Sequence, residues 1–256
     1  MTRTRAELAA AVRPFGPGGA LLPAHIPALD ALADALGLPR DGQAPAQIGL
    51  TTADFAAAAA KLGCTVAQIR AVWEVESGGG WYRDVRKEIL DRDGPGGFLD
   101  GPNLPKILFE AHHFSRLTGG RFDRSHPNIS SPRWNRALYV GGQAEYLRLD
   151  EAMRLDREAA LKSASWGGAQ IMGFNHKLAG FATVDAFVAA MRTNEAAHLA
   201  AFCAFVASAG LADELRRVSN VHADCAPFAA GYNGKGYKAN EYHVKIARAH
   251  AKWSKV

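Results

Sequence analysis

The chain has 256 residues, of which 48% are hydrophobic, and carries a formal net charge of +5. That length and hydrophobic content suffice for one sizeable core, with or without a small appendage, and no apolar run is long enough to cross a membrane as a helix. The basic excess suits an anionic polymer as partner. Because zinc-finger spacing, an RNA-binding aromatic motif and a dense arginine block are all missing from the sequence, we expect that this polymer is not nucleic acid.

The cysteines, Cys64, Cys203 and Cys225, are odd in number and have no paired spacing. This pattern indicates no disulfide framework and fits synthesis in a reducing compartment. The residues after the N-terminal Met-Thr-Arg-Thr-Arg are mixed in polarity and do not form the apolar core of a signal peptide. We therefore expect synthesis in the cytoplasm without a signal peptide, and we expect a monomer.

Residues 1–50 differ from the rest of the chain because they contain half of its twelve prolines. Isoleucine and leucine residues recur at helical spacing ahead of Gly37, which predicts one helix over residues 26–36. We interpret residues 1–50 as an N-terminal extension whose helix packs on the main domain. The main domain is expected to comprise residues 51–256.

From residue 51 onward the hydrophobic pattern is mostly helical. Helices are predicted over residues 52–62, 65–76, 112–117, 143–155, 157–163, 184–193, 195–209, 223–231 and 240–253. Residues 81–104 are rich in glycine and aspartate and are expected to be irregular. Ile107–Phe109 is predicted to be a short strand, so the expected fold class is mainly α with a small β element.

One of these helices carries a glutamate on its last turn. Thr65 and Gln68 have the spacing of a capping box at its start, and the glycines at 78–80 end it. Glu76 therefore lies where the helix dipole is negative, near the apolar Trp73, and both conditions raise the pKa of a carboxyl group. A glycosidase needs such a protonated carboxyl group to donate a proton to its leaving oxygen. The alternative is an ordinary solvated residue at a helix end.

A second carboxylate, Glu110, directly follows the predicted strand Ile107–Phe109. Solubility alone explains an acid at this position poorly, and packing of the strand would hold it rigidly. Glu110 is therefore a candidate base for activating water. Asp100, in the glycine-rich stretch before the strand, is the competing candidate, and structural pairing with the neighbouring histidines is the alternative for Glu110.

Four stretches occur in order: Glu76-Ser77 followed by glycines, and then residues 105–114, 163–176 and 230–237. Together they resemble the N-acetylmuramidase domain of phage endolysins, which belongs to the lysozyme-like superfamily beside goose-type lysozymes and lytic transglycosylases. The resemblance covers about residues 51–256. It implies a lysozyme-like helical domain with a small β element beside the active-site cleft. The chain departs from the family pattern at residues 81–96, which look inserted.

The resemblance also implies residues that bind the sugar. Ser77 is similar to the serine that follows the catalytic glutamate in this superfamily, where its hydroxyl can orient the carboxyl group or touch the sugar. Residues 163–176 resemble a substrate-binding turn in which a glycine precedes a short helix bearing glutamine. This makes Gln170, Asn175 and Trp166 candidates for contact with a glycan, with ordinary core packing as the alternative for Trp166.

The sequence Tyr232-Asn233-Gly234 resembles a turn of lytic transglycosylases in which the tyrosine hydroxyl approaches the catalytic glutamate. By that resemblance Tyr232 is expected to orient Glu76, and Asn233 to shape the cleft floor. A purely conformational turn is the alternative.

The function implied is a peptidoglycan hydrolase that cuts the β-1,4 bond between N-acetylmuramic acid and N-acetylglucosamine and reaches the cell wall after release. Its expected partner is the glycan strand. No cofactor or metal is expected, since the histidines form no His-Glu-x-x-His motif and the cysteines no Cys-x-x-Cys. A lytic transglycosylase using the same glutamate is the near alternative. Alternatives of other classes are an amidase or peptidase using Cys203 or Cys225, and a non-catalytic wall-binding or virion structural module.

Overall fold

The computed structural model describes residues 5–16, 22–36, 38, 49–77, 81–83 and 103–255, and the chain divides into two compact units, Met1–Ile48 and Gly49–Val256. The first unit contains helices α1 (Arg5–Val12) and α2 (Ile26–Ala35). The Arg5 guanidinium pairs with the carboxylates of Asp30 and Asp34 on α2. Helix α2 confirms the predicted helix, whereas α1 was not predicted because its alanine-rich sequence has little apolar periodicity.

The second unit is built mainly of helices. Their bounds are α3 Thr52–Leu62, α4 Val66–Ser77, α5 Ala111–Leu117, α6 Glu145–Leu155, α7 Arg157–Lys162, α8 Val184–Met191, α9 Glu195–Ser208, α10 Ala212–Arg216, α11 His222–Asn233 and α12 Tyr242–Trp253. Each helix predicted after residue 50 is present, with ends within two residues of the predicted bounds. Helix α10 was not predicted, since five residues are too few to establish a helical period.

Within the described residues, five short strands accompany these helices. Strands β1 (Trp81–Arg83) and β2 (Asn103–Pro105) pair antiparallel, and β3 (Ile107–Phe109), β4 (Ala164–Trp166) and β5 (Ile171–Met172) form an antiparallel sheet in that order. The strand predicted at Ile107–Phe109 is confirmed. The expectation that residues 81–104 are irregular is wrong at β1 and β2, where backbone pairing outweighs the weak local pattern.

The two faces of the β3–β4–β5 sheet have different surroundings. Ile107, Phe109 and Trp166 belong to the hydrophobic core of the second unit. Leu108 pairs with Ser165, which pairs in turn with Met172, and cross-strand partners point to the same side of a sheet. Leu108, Ser165 and Met172 therefore lie on the same side of the sheet.

A buried ion pair fixes the end of β3. Glu145 is fully buried, and its carboxylate accepts hydrogen bonds from the Arg148 guanidinium at 2.8 Å and from the Phe109 N–H at 3.3 Å. It also accepts the N–H groups of Val140 and Gly141, both at 2.9 Å. Arg148 donates to the Phe109 carbonyl at 2.9 Å. The pair therefore holds residues 140–141 against the end of β3.

Among the residues with a described structure, no single helix is both long and apolar enough to cross a membrane. The consecutive helices α3 and α4 meet that criterion only jointly, by length and composition, and they are bent by 108° relative to each other.

Candidate active site

Glu76 lies on the last turn of α4, and the start of that helix is clamped. The predicted capping box is present, since the Thr65 N–H donates to the Gln68 side chain at 2.8 Å and the Gln68 N–H donates to the Thr65 hydroxyl at 3.2 Å. The Gln68 amide also donates to the carbonyls of Arg216 and Val218 at 2.6 and 2.9 Å. The helix that carries Glu76 is thereby fixed to the segment around α10.

The surroundings of Glu76 favour its protonated form. Burial raises the pKa of Glu76 from its ordinary value of 4.5 to about 7, partly opposed by a hydrogen bond from the Asn233 amide to Oε1 at 2.9 Å. The negative charge of Glu76 adds to the burial that raises the pKa values of Tyr232 and Tyr242. The sequence predicted a raised pKa for Glu76, which agrees with this geometry. The main cause of the rise is desolvation by burial.

Tyr232 and Asn233 of the Tyr-Asn-Gly motif make contacts that differ from the expected ones. The Tyr232 hydroxyl donates to the Ala169 carbonyl at 2.9 Å, and its ring stacks on Phe228. The side chain that bonds Glu76 is Asn233. Tyr232 therefore connects α11 to the β4–β5 turn, and the expectation that its hydroxyl orients Glu76 directly is corrected.

The expected short helix bearing Gln170 is not formed, because residues 164–172 fold as strand, turn and strand. Gln170 has the left-handed φ of 49°, which costs energy outside glycine. Its side chain offsets this cost: Oε1 accepts the Ser165 hydroxyl at 2.9 Å, and Nε2 donates to the carbonyls of Gly167 and Lys106 at 2.8 and 3.2 Å. The amide that we expected to contact an N-acetyl group thus bonds within the turn, although Gln170 remains exposed.

This turn packs directly against the end of α4. A Cβ atom at Gly168 would lie 2.8 Å from the Trp73 ring and 3.5 Å from the Ser77 Cβ, so only glycine permits the approach. The Gly168 N–H donates to Nδ1 of the buried His198 at 3.1 Å, and the opposite ring nitrogen contacts the Met191 carbonyl at 2.6 Å. The turn and Ser77 therefore lie beside Glu76.

Trp166 and Asn175 have different environments. Trp166 is 1% exposed and its indole N–H donates to the Leu161 carbonyl at 3.0 Å. A sugar cannot reach this ring, so its expected contact with substrate is corrected to core packing. Asn175 is half-buried in the short 3₁₀ helix Gly173–Asn175 that follows β5.

Glu110 lies between β3 and α5. Its N–H donates to the Ser163 carbonyl at 2.9 Å, which fixes its backbone. Its Oε2 accepts the Tyr139 hydroxyl at 2.5 Å and lies 3.3 Å from Nδ1 of His112. The sequence suggested a contact between Glu110 and a neighbouring histidine, and His112 makes it. The contact with Tyr139 was not predicted. The competing candidate, Asp100, lies outside the described residues.

Glu76 and Glu110 approach β3 from opposite ends. The Lys106 carbonyl, just before β3, accepts the N–H of Gly167 at 2.8 Å and so adjoins the turn that packs on α4. Glu110 is four residues further along an extended chain, which corresponds to about 13 Å of backbone at the usual rise per residue. Strand β3 therefore connects the turn beside Glu76 to Glu110.

The cysteines offer little nucleophilic chemistry. Cys203 and Cys225 are almost completely buried, and burial raises the pKa of both thiols, that of Cys203 to about 11. A cysteine nucleophile requires an accessible thiolate, so this geometry argues against the amidase or peptidase alternative. Within the described part of the chain, no group of three histidine, cysteine, aspartate or glutamate residues is placed to hold a metal ion.

Several residues of the site were missed from the sequence. Tyr139, Tyr242 and His198 belong to no motif, and each reaches the site through a long-range contact. The sequence does contain an indication of one further contact. Glu145 and Arg148 have an i,i+3 spacing, which suggests an ion pair on a helix. Nothing in the local sequence indicates that this pair is buried.

Comparison with known proteins identifies a family and a solved structure to which this chain is similar. A family model of N-acetylmuramidases matches residues 65–254. The chain is similar to the crystal structure of the endolysin of Burkholderia phage AP3, with 33% sequence identity and a TM-score of 0.67, over 99% of this chain and 86% of that chain. Comparison with curated proteins finds no match.

Proposed function

The chain belongs to the N-acetylmuramidase family, and we propose that it is a peptidoglycan hydrolase of the endolysin type. The bond cut is the β-1,4 link between N-acetylmuramic acid and N-acetylglucosamine. The observation that carries this proposal is a half-buried glutamate at a helix end with its pKa raised to about 7, beside a glycine-rich turn and an asparagine that bonds its carboxyl group.

Glu76 is proposed as the general acid. With a pKa of about 7, a substantial fraction of its carboxyl groups is protonated at neutral pH, and that form can donate a proton to the leaving glycosidic oxygen. Asn233 engages Oε1, which leaves Oε2 for the substrate. Asn233 is therefore a positioning residue, because it acts on the sugar only through Glu76.

Glu110 is proposed as the base that activates water. The donated hydrogen bond from Tyr139 and the anchored backbone at Ser163 support rigid placement. Retaining glycosidases hold their carboxyl groups about 5 Å apart, whereas inverting ones leave about 6.5–9.5 Å for a water molecule. Because the turn beside Glu76 adjoins the start of β3 and Glu110 follows its end, we favour the wider, inverting arrangement.

Substrate contacts are proposed along the same surface. Ser77 and Asn175 have polar side chains that are half-buried near the turn or after β5. The net charge of +5 suits the anionic peptidoglycan polymer. The likeness to a phage endolysin supports action on the cell wall after release from the cytoplasm.

The test is a digestion of purified peptidoglycan with the wild type and with Glu76→Gln, followed by mass spectrometry of the new sugar termini. We expect reducing N-acetylmuramic acid ends with the wild type and almost no release with the variant. Termini carrying a 1,6-anhydro sugar would instead identify a lytic transglycosylase. Binding to the wall without any soluble fragment would identify a non-catalytic module.

A further inference from the structure

We propose that the exposed ring of Trp134, beside Tyr139, forms a saccharide-binding subsite next to the point of cleavage. The ligand would be a sugar of the same glycan strand, bound with the face of its ring against the indole. This inference rests on the proposed function, because it assumes that the strand crosses the surface between Glu76 and Glu110.

The exposure of Trp134 is the first observation. Its side chain is 59% exposed. Within the described residues of the second unit, the other exposed large hydrophobic side chains are aliphatic: Leu117, Val140, Leu178 and Val221. Scattered exposed apolar residues need no explanation, but a large aromatic ring with a polar handle is typical of binding surfaces.

The ring is also held in place. The Trp134 and Tyr139 ring centroids lie 6.3 Å apart at 50°. Before the ring, the Ser131 N–H donates to the Ala111 carbonyl at 3.2 Å. After it, the N–H of Val140 is bonded to the buried Glu145. A ring held at both ends of its loop loses little conformational freedom when a ligand binds.

The chemistry around the ring fits a carbohydrate better than an apolar protein surface. A pyranose presents C–H bonds on its faces and hydroxyl groups around its edge, so it needs an apolar plane with hydrogen-bonding groups beside it. Tyr139 connects the Trp134 ring to the Glu110 carboxylate, and His112 lies against the same carboxylate. A purely apolar partner would leave this carboxylate and imidazole desolvated without new partners.

The position of the cluster connects it to the proposed cleavage point. Glu110 ends the strand whose first residues adjoin the turn beside Glu76. Tyr139 lies between Glu110 and the Trp134 ring. A glycan strand that crosses between Glu76 and Glu110 therefore reaches Trp134 with a sugar next to the one being protonated.

The test is a calorimetric titration of the full chain with glycan oligomers whose stem peptides have been removed by an amidase. All proteins carry Glu76→Gln, so that the oligomers stay intact. Adding Trp134→Ala should raise the Kd by a factor on the order of ten, as for an aromatic residue that is central to binding. Trp134→Phe should retain part of the affinity. Val221→Ala, which alters a similarly exposed residue at the opposite end of α11 from Asn233, should leave the Kd unchanged.

An unchanged Kd in the Trp134→Ala protein would overturn the subsite, and so would failure of the Glu76→Gln protein to bind the oligomers. Either result leaves the proposed function standing if wild-type protein still releases reducing ends from peptidoglycan. Conversely, full activity of the Glu76→Gln protein would refute the proposed acid. The Kd values of the Trp134 variants would still be compared, at contact times too short for the oligomers to be cleaved.

Discussion

The surroundings of Glu76 and Glu110 place the same functional group in opposite conditions. Glu76 is desolvated among aromatic side chains and accepts one hydrogen bond from an uncharged amide, so its pKa rises to about 7. Glu110 accepts a tyrosine hydroxyl and contacts a histidine, and its negative charge contributes to raising the pKa of Tyr139. Two glutamates in such different environments suit the separate tasks of an acid and a base.

The two regions also differ in how they are anchored. Glu76 is placed by an amphipathic helix with polar anchors at its start, where Gln68 bonds the segment around α10, and near its end, where Glu74 accepts hydrogen bonds from Lys252 and Trp253. Glu110 is placed by a three-residue strand whose end depends on the buried pair of Glu145 and Arg148. The polar contacts nearest to Glu76 along its helix are therefore exposed, whereas the Glu110 region depends on a buried ion pair.

The largest expected effect is on Glu76. Glu76→Gln should lower kcat/KM by about 10²–10⁴-fold, the usual contribution of a general acid. Because the folded state keeps the proton of Glu76 between pH 4.5 and about 7, stability falls as the pH rises through that range, by about 3 kcal/mol at most. Urea unfolding should show the glutamine variant more stable than the wild type at pH 8, with little difference at pH 4. Equal stabilities at both pH values would show that Glu76 is not desolvated.

The next effect separates the two candidates for the second carboxylate. Glu110→Gln should reduce glycan cleavage by about 10²-fold or more at equal stability, as loss of a general base does, and Asp100→Asn should reduce it far less. Initial rates on purified peptidoglycan at matched folded fractions decide between them. The reverse order would transfer the role to Asp100, and small losses in both would favour the single-carboxylate transglycosylase.

The anchoring of Glu110 can be broken at a distance. Glu145→Gln leaves Arg148 as an uncompensated buried charge, and such changes cost about 3–5 kcal/mol. A matched control is Glu158→Gln, since Glu158 forms an exposed pair with Lys162 whose removal should cost less than about 1 kcal/mol. Denaturant unfolding measures both. Equal, small losses would mean that the Glu145 pair does not hold the end of β3.

The smallest effect sharpens the role of Asn233. Its hydrogen bond favours the charged form of Glu76 and lowers the pKa of that group. Asn233→Ala should therefore raise the pKa of Glu76 further, and the alkaline limb of the pH profile of kcat/KM should move to higher pH. Asn240→Ala, which removes an exposed amide bonded to the Gly236 carbonyl, should not move it. A shift to lower pH after Asn233→Ala would contradict the assignment.

The sequence predicted the long elements, because helical periodicity and capping residues act locally. Helix α4 and its capping box are confirmed, as is the strand Ile107–Phe109. The β1–β2 and β4–β5 pairings were missed, since two- and three-residue strands are stabilised by partners distant in sequence.

The roles of individual site residues were harder to predict for a geometric reason. Adjacent residues on a helix point about 100° apart, so only one of Tyr232 and Asn233 can face Glu76, and the motif alone does not say which. Gln170 was expected to bind sugar because its amide has suitable donors and acceptors, yet the left-handed turn engages those same groups. Trp166 was open to two interpretations, and its place opposite Ile107 on the buried face of the sheet decided for the core.

The most direct test of the account is the protonation of Glu76 itself. A ¹³C NMR titration of the glutamate side-chain carboxyl groups, with Glu76→Gln to assign the signal, measures its pKa in the folded protein. We expect a midpoint near 7 for Glu76, and a further rise in the Asn233→Ala variant. A midpoint near the ordinary value of 4.5 would contradict the central claim that burial keeps this carboxyl group available as an acid at neutral pH.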